Sequence, residues 1–131
     1  MSLVKGMHHA ALRCVGEEEL NSVVKFYCNV LGMKFVRSWG SGIYKVVMVD
    51  TGSGIIEIFA DALPGRRPGQ VDHIALATDD VDACVAACRE NGLPVLQEPG
   101  DLLIPSGQPY PIRIAFVLGK AGEIIEFFHE R

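Results

Sequence analysis

The chain reads as an α+β domain built of two βαβββ modules in tandem, and three observations predict it. The order strand, helix and three strands occurs twice along the 131 residues. A turn-rich segment, Leu63-Pro64-Gly65-Arg66-Arg67-Pro68-Gly69, divides the two runs. Each half also pairs a histidine near the start of one strand with a glutamate inside another, His9 with Glu57 and His73 with Glu126. Modules are therefore expected over about 4–62 and 70–130, joined by a linker at 63–69. The length suits one domain that buries roughly two-thirds of its unfolded surface.

In the first half, Met7 to Cys14 alternates with the period of a strand. Glu17, Glu18 and Glu19 then favour a helix start, because carboxylates are stabilised by the partial positive charge of a helix N-terminus. Leu20, Val23, Val24, Tyr27 and Leu31 recur at helical spacing, and Gly32 is placed to end that helix in the left-handed conformation. Lys34 to Ser38, Tyr44 to Val49 and Ile55 to Phe59 read as strands, separated by the glycine-rich turns Gly40-Ser41-Gly42 and Asp50-Thr51-Gly52-Ser53-Gly54.

The second half repeats the order. Asp72 to Ala77 is a strand, and Asp79 or Asp80 caps a helix through Val81, Cys84, Val85 and Cys88 that ends at Asn91-Gly92. Leu93 to Gln97, Ile112 to Leu118 and Glu123 to His129 supply three more strands.

Composition excludes several function classes. Hydrophobic residues are 49% and charged residues 21%, which calls for a large buried fraction or an extensive subunit interface. No apolar run approaches the roughly 18 residues of a membrane span and no basic leader precedes an apolar stretch, so a soluble, cytoplasmic protein is expected, with no membrane partner. A net charge of −4, with basic residues scattered apart from Arg66-Arg67, gives no attraction to phosphate backbones, so nucleic acid is not an expected partner. Cys14, Cys28, Cys84 and Cys88 lack the CxxC spacing of zinc ribbons and read as free thiols.

The histidine–glutamate pairs carry the chemistry. A carboxylate within an apolar strand is costly unless it is paired or bound to a metal, and here it occurs twice, in Ile55-Ile56-Glu57-Ile58-Phe59 and Ile124-Ile125-Glu126-Phe127-Phe128. Alternation places His9, Ala11 and Arg13 on one strand face, and likewise Ile55, Glu57 and Phe59; His73, Ala75 and Ala77; and Ile124, Glu126 and Phe128. Four such donors make a metal centre of His9, Glu57, His73 and Glu126 the expected site, and imidazole with carboxylate suits Zn, Ni, Co, Mn or Fe(II). His8 faces away from His9, and His129 lies off the Glu126 face, so neither is expected to ligate.

At these residues the chain resembles the vicinal-oxygen-chelate superfamily, which includes glyoxalase I, extradiol dioxygenases, methylmalonyl-CoA epimerase, and fosfomycin- and bleomycin-resistance proteins. His9-Ala10-Ala11-Leu12-Arg13 followed by Phe26-Tyr27-Cys28-Asn29-Val30-Leu31-Gly32-Met33 is similar to the opening of the glyoxalase I, or lactoylglutathione lyase, sequences. The resemblance implies paired βαβββ modules curled around a divalent metal held in the order His9, Glu57, His73, Glu126. It implies lyase or isomerase chemistry, in which a proton moves through a metal-bound enediolate of a thiohemiacetal or similar small α-hydroxy carbonyl substrate. Glu126 would be the main base and Glu57 the second acid/base group. The compact length resembles bacterial glyoxalases that prefer Ni²⁺ or Co²⁺, with Zn²⁺ also admissible, and that work as homodimers with their sites at the subunit interface. Arg13 takes the place of an arginine that binds a carboxylate of glutathione, but Asp61 stands where those enzymes usually have asparagine, which weighs against an anionic thiol conjugate. A ligand-binding protein of the bleomycin-resistance type and another enzyme of the superfamily are the alternative readings.

Overall fold

A computed structural model describes residues 2–65, 71–120 and 122–131. The element order is β1 (Gly6–Arg13), α1 (Gly16–Lys25), β2 (Lys34–Trp39), β3 (Val46–Asp50), β4 (Ile55–Phe59), β5 (Val71–Ala77), α2 (Val81–Glu90), β6 (Val95–Ile104), β7 (Tyr110–Leu118) and β8 (Ile124–Glu130). The expected βαβββ order is thus present twice. Part of the expected linker, 66–69, lies outside the described residues. Among the described residues no helix is long and apolar enough to cross a membrane.

The chain divides into two compact units, one of His9–Asp72 and one of Met1–His8 with His73–Arg131. The opening segment is tied to the C-terminal half. The Lys5 N–H donates to the Ala77 carbonyl at 2.7 Å, the Thr78 hydroxyl to the Leu3 carbonyl at 2.6 Å, and Lys5 pairs with Asp79 at 2.9 Å. Val4 packs against the buried cluster of Val81, Cys84, Val85, Ala115, Val117 and Phe127.

In the unit of His9–Asp72, β1 pairs in parallel with β4, and β4 with β3 and β3 with β2 pair antiparallel. One sheet face packs on Leu20 of α1 through Cys14, Val47, Val49, Ile58 and Ala60, and this is the apolar core of the unit. The Glu19 side chain accepts from the Val15 N–H at 3.2 Å at the start of α1. Beyond α1 the helical path widens into a π turn over Phe26–Val30, closed by the Leu31 N–H on the Phe26 carbonyl at 3.2 Å, before Gly32 ends it at φ +78°. Tyr44 was expected to open β3, but it lies in a short 3-10 turn over Gly42–Tyr44, and β3 begins at Val46. The cause is local: at Gly40, φ +73°, the backbone passes so close to the Tyr44 carbonyl that no side chain fits.

The other unit repeats this topology, with β5 parallel to β8, and β8 to β7 and β7 to β6 antiparallel. Its core joins Val81, Cys84, Val85, Ala115, Val117 and Phe127. Asp80 is the residue that caps α2, accepting from the Ala83 N–H at 2.9 Å. β6 runs beyond the expected end at Gln97 to Ile104, because register shifts between Val95 and Gly100 let Pro99 drop out of the ladder without ending the pairing.

Candidate metal centre

The fold brings each expected histidine to its glutamate. His9 Nε2 lies 3.0 Å from Glu57 Oε1, and His73 Nε2 lies 3.1 Å from Glu126 Oε1. All four residues are buried, with 1% of His9, 6% of Glu57, 6% of His73 and 4% of Glu126 exposed. Strand register explains both meetings. Ala11 is the partner of Glu57 across β1 and β4, and Ala75 is the partner of Glu126 across β5 and β8. The histidine precedes that alanine by two residues in each case, so it lies on the same face and reaches the glutamate diagonally over a methyl group.

Apolar neighbours keep the pairs dry. Met48, fully buried, is the register partner of Glu57 on β3, and Phe116 holds that place opposite Glu126 on β7. The Phe116 ring meets His73 edge on at 5.5 Å between centroids. Carboxylates buried among such residues need an opposite charge or a metal. Bonds of about 2.1 Å at right angles around one ion place neighbouring donor atoms about 3.0 Å apart. The two separations are those of hydrogen-bonded pairs and also match that spacing, so each pair could supply two adjacent ligands of a divalent ion.

Arg13, expected to meet substrate, is already engaged. Its Nη1 donates to Asp61 at 2.6 Å and its Nε to Asp72 at 2.9 Å, while its guanidinium carbon lies 4.7 Å over the Phe59 ring. Partial burial works against the Arg13 charge, but the hydrogen bonds to Asp72 and Asp61 outweigh it and raise the pKa above the ordinary arginine value. Arg13 shares the face of His9, and Phe59 the face of Glu57, so this cluster lies two residues along the strands from Glu57 and four from His9. Asp72 had no signal in the sequence beyond its place before His73. Arg66 and Arg67 fall outside the described residues.

His8 is buried and stacks on Phe128 at 4.0 Å between centroids, with Nε2 at 3.4 Å from Glu130. It takes no part in the His9–Glu57 pair, in keeping with its opposite face on β1. Cys14, Cys28, Cys84 and Cys88 are free thiols, and burial raises the pKa of Cys84 and Cys88.

The chain thus carries two βαβββ units, each with a buried histidine–glutamate pair. A family model for the Glyoxalase/Bleomycin resistance protein/Dioxygenase superfamily matches residues 6–127, and the chain belongs to that superfamily. The uncharacterized protein YwbC of Bacillus subtilis (strain 168) is 30% identical over 118 residues, 84% of this chain and 88% of that protein. Among solved structures, a methylmalonyl-CoA epimerase is similar with a TM-score of 0.73 and 18% identity, over 100% of this chain and 99% of that one. The Mn(II)-bound glyoxalase from Novosphingobium aromaticivorans is similar with a TM-score of 0.68 and 21% identity, over 98% of this chain and 40% of that one. At these identities the structures establish the shared fold.

Proposed function

We propose that this chain is a divalent-metal-dependent lyase or isomerase of the glyoxalase I type, which moves a proton between neighbouring carbons of a small α-hydroxy carbonyl compound such as a thiohemiacetal. The observation that carries the reading is the repeated buried pair, His9 with Glu57 and His73 with Glu126, at separations suited to adjacent ligands of one ion. His9, Glu57, His73 and Glu126 would hold the ion, which supplies positive charge for two adjacent substrate oxygens as negative charge grows on them.

Glu126 takes the proton from the carbon beside the carbonyl, the enediolate oxygens relay it to Glu57, and Glu57 delivers it to the neighbouring carbon. Each carboxylate suits that task because it is walled by apolar side chains that exclude water, and because its histidine holds it in place. The complete set of two imidazoles and two carboxylates supports proton transfer over oxygen activation. Glutamate serves as a base, whereas a site used only to bind a ligand has no need of it.

Metal analysis of the protein purified without added metal, and again after reconstitution, tests the reading. About one equivalent of tight divalent ion per chain is expected, with isomerisation of hemithioacetals by the loaded protein. Less than about half an equivalent after reconstitution would leave a ligand-binding protein as the better account.

A further inference from the structure

We propose that Phe116 is a positioning residue of the metal centre. Its ring sets the plane of the His73 imidazole and covers Glu126, so that the two donors keep one orientation toward an ion. The inference rests on the metal centre of the functional reading above and adds a residue to that same site.

Its basis is one row across the sheet of the unit that holds His73. Ala75 of β5, Glu126 of β8 and Phe116 of β7 are partners in register, so their side chains stand side by side on one face. Such partners are about 5 Å apart, near enough for a phenyl ring to cover the flank of a carboxylate. His73 precedes Ala75 by two residues and shares the face. Its Nε2 reaches Glu126 at 3.1 Å, and its ring meets the Phe116 ring at 5.5 Å between centroids, with the planes at 85°. Phe116 therefore borders both members of the pair. Rotation about the bond that carries the imidazole is soft, and it swings Nε2 off the direction an ion requires. A ring at right angles opposes that rotation, because edge-to-face packing is directional.

The other unit supplies the contrast. Glu57 has Met48 as its register partner on β3, where Glu126 has Phe116 on β7. A thioether chain with three rotatable bonds fills space without imposing a direction. Of the two pairs, the one oriented by a ring is thus the one that contains the proposed base. A base must stay aimed at the bond it breaks, and small misplacements cost rate rather than binding. Nor does Phe116 serve the core of its unit. That core takes Ala115 and Val117 from β7, which face the other way, and Phe116 itself is only partly buried.

Co²⁺ tests this, because its visible absorption reports the directions of its donors. Phe116→Met gives β7 the residue type that β3 carries, and Phe116→Tyr keeps the ring. The Met variant is expected to fold and to take up Co²⁺ at the stoichiometry of the unaltered protein, with a changed spectrum and about tenfold weaker affinity in competition with a chelator. Its kcat on hemithioacetals should fall about tenfold, with KM altered less than about twofold. The Tyr variant is expected to restore the spectrum and affinity and to recover most of kcat. A Met variant with unchanged spectrum and affinity overturns the inference. So does a Tyr variant that loses as much as the Met variant, a loss confined to KM, or a Met variant that fails to fold, which would make Phe116 a residue of the core. Unaltered, Co²⁺-loaded protein that leaves hemithioacetals unchanged overturns the functional reading, while the spectral comparison still decides the role of Phe116. Absence of Co²⁺ uptake by the unaltered protein overturns both.

Discussion

Ala11 stands directly opposite Glu57 on the neighbouring parallel strand, two residues beyond His9, and its fully buried methyl leaves the space in which imidazole and carboxylate meet. Ala75 holds the same position opposite Glu126, two residues beyond His73. Small residues here are a condition of the site. Ala11→Leu or Ala75→Leu is expected to cost about 1–3 kcal/mol by overpacking and to displace the adjacent pair, lowering metal content well below that of the unaltered protein. Metal analysis beside circular dichroism checks this, and a folded, fully loaded Leu variant would contradict it.

Glu126→Gln separates metal holding from proton transfer. An amide keeps the shape and an oxygen for the ion but cannot accept the proton, so turnover should fall about 100-fold or more. Solvent deuterium incorporation at the carbon beside the carbonyl reads the step itself. Undiminished exchange in a metal-loaded Gln variant would move the base to Glu57.

Metal preference follows from the donor set. Two imidazoles, two carboxylates and two substrate or water oxygens complete an octahedron, whereas Zn²⁺ is well satisfied by four ligands. Activity of the apo-protein reconstituted with single metals should rank Ni²⁺ or Co²⁺ above Zn²⁺. The opposite order refutes the preference.

His8 and His9 are neighbours in sequence with separate roles. His8→Ala removes the ring stacked on Phe128 and should destabilise the fold by about 1 kcal/mol while leaving metal stoichiometry unchanged. His9→Ala should instead abolish tight binding, since it removes a donor from a buried pair. Inductively coupled plasma analysis of the two variants distinguishes them, and metal loss in His8→Ala would mean that the strand register is wrong.

The cap of α2 gives a test of the fold alone. Asp80→Ala removes the acceptor for the Ala83 N–H and should cost about 1 kcal/mol in denaturant unfolding, with metal content intact. Asp79→Ala should change stability less, because Asp79 is exposed and only pairs with Lys5 at the surface.

The sequence by itself determined the repeated βαβββ order, the faces of the strands and the four buried donors. Those depend on periodicity and on the cost of placing carboxylates among isoleucines and phenylalanines, which is local information. Glycine signals were equally legible: Gly32 and Gly92, both at φ +78°, end their helical segments as expected. Tertiary structure alone decided which groups meet. The pairing of β1 with β4 and of β5 with β8 sets alanine opposite glutamate, and no local propensity encodes that register. It also brought Asp61 and Asp72 to Arg13, residues 48 and 59 positions away in the chain, and so engaged within the protein an arginine expected to bind an anion. The extension of β6 past Pro99 and the turn that holds Tyr44 out of β3 were hidden for a similar reason. A bulge in one ladder and the close passage of backbone at Gly40 override the strand signals of the residues concerned.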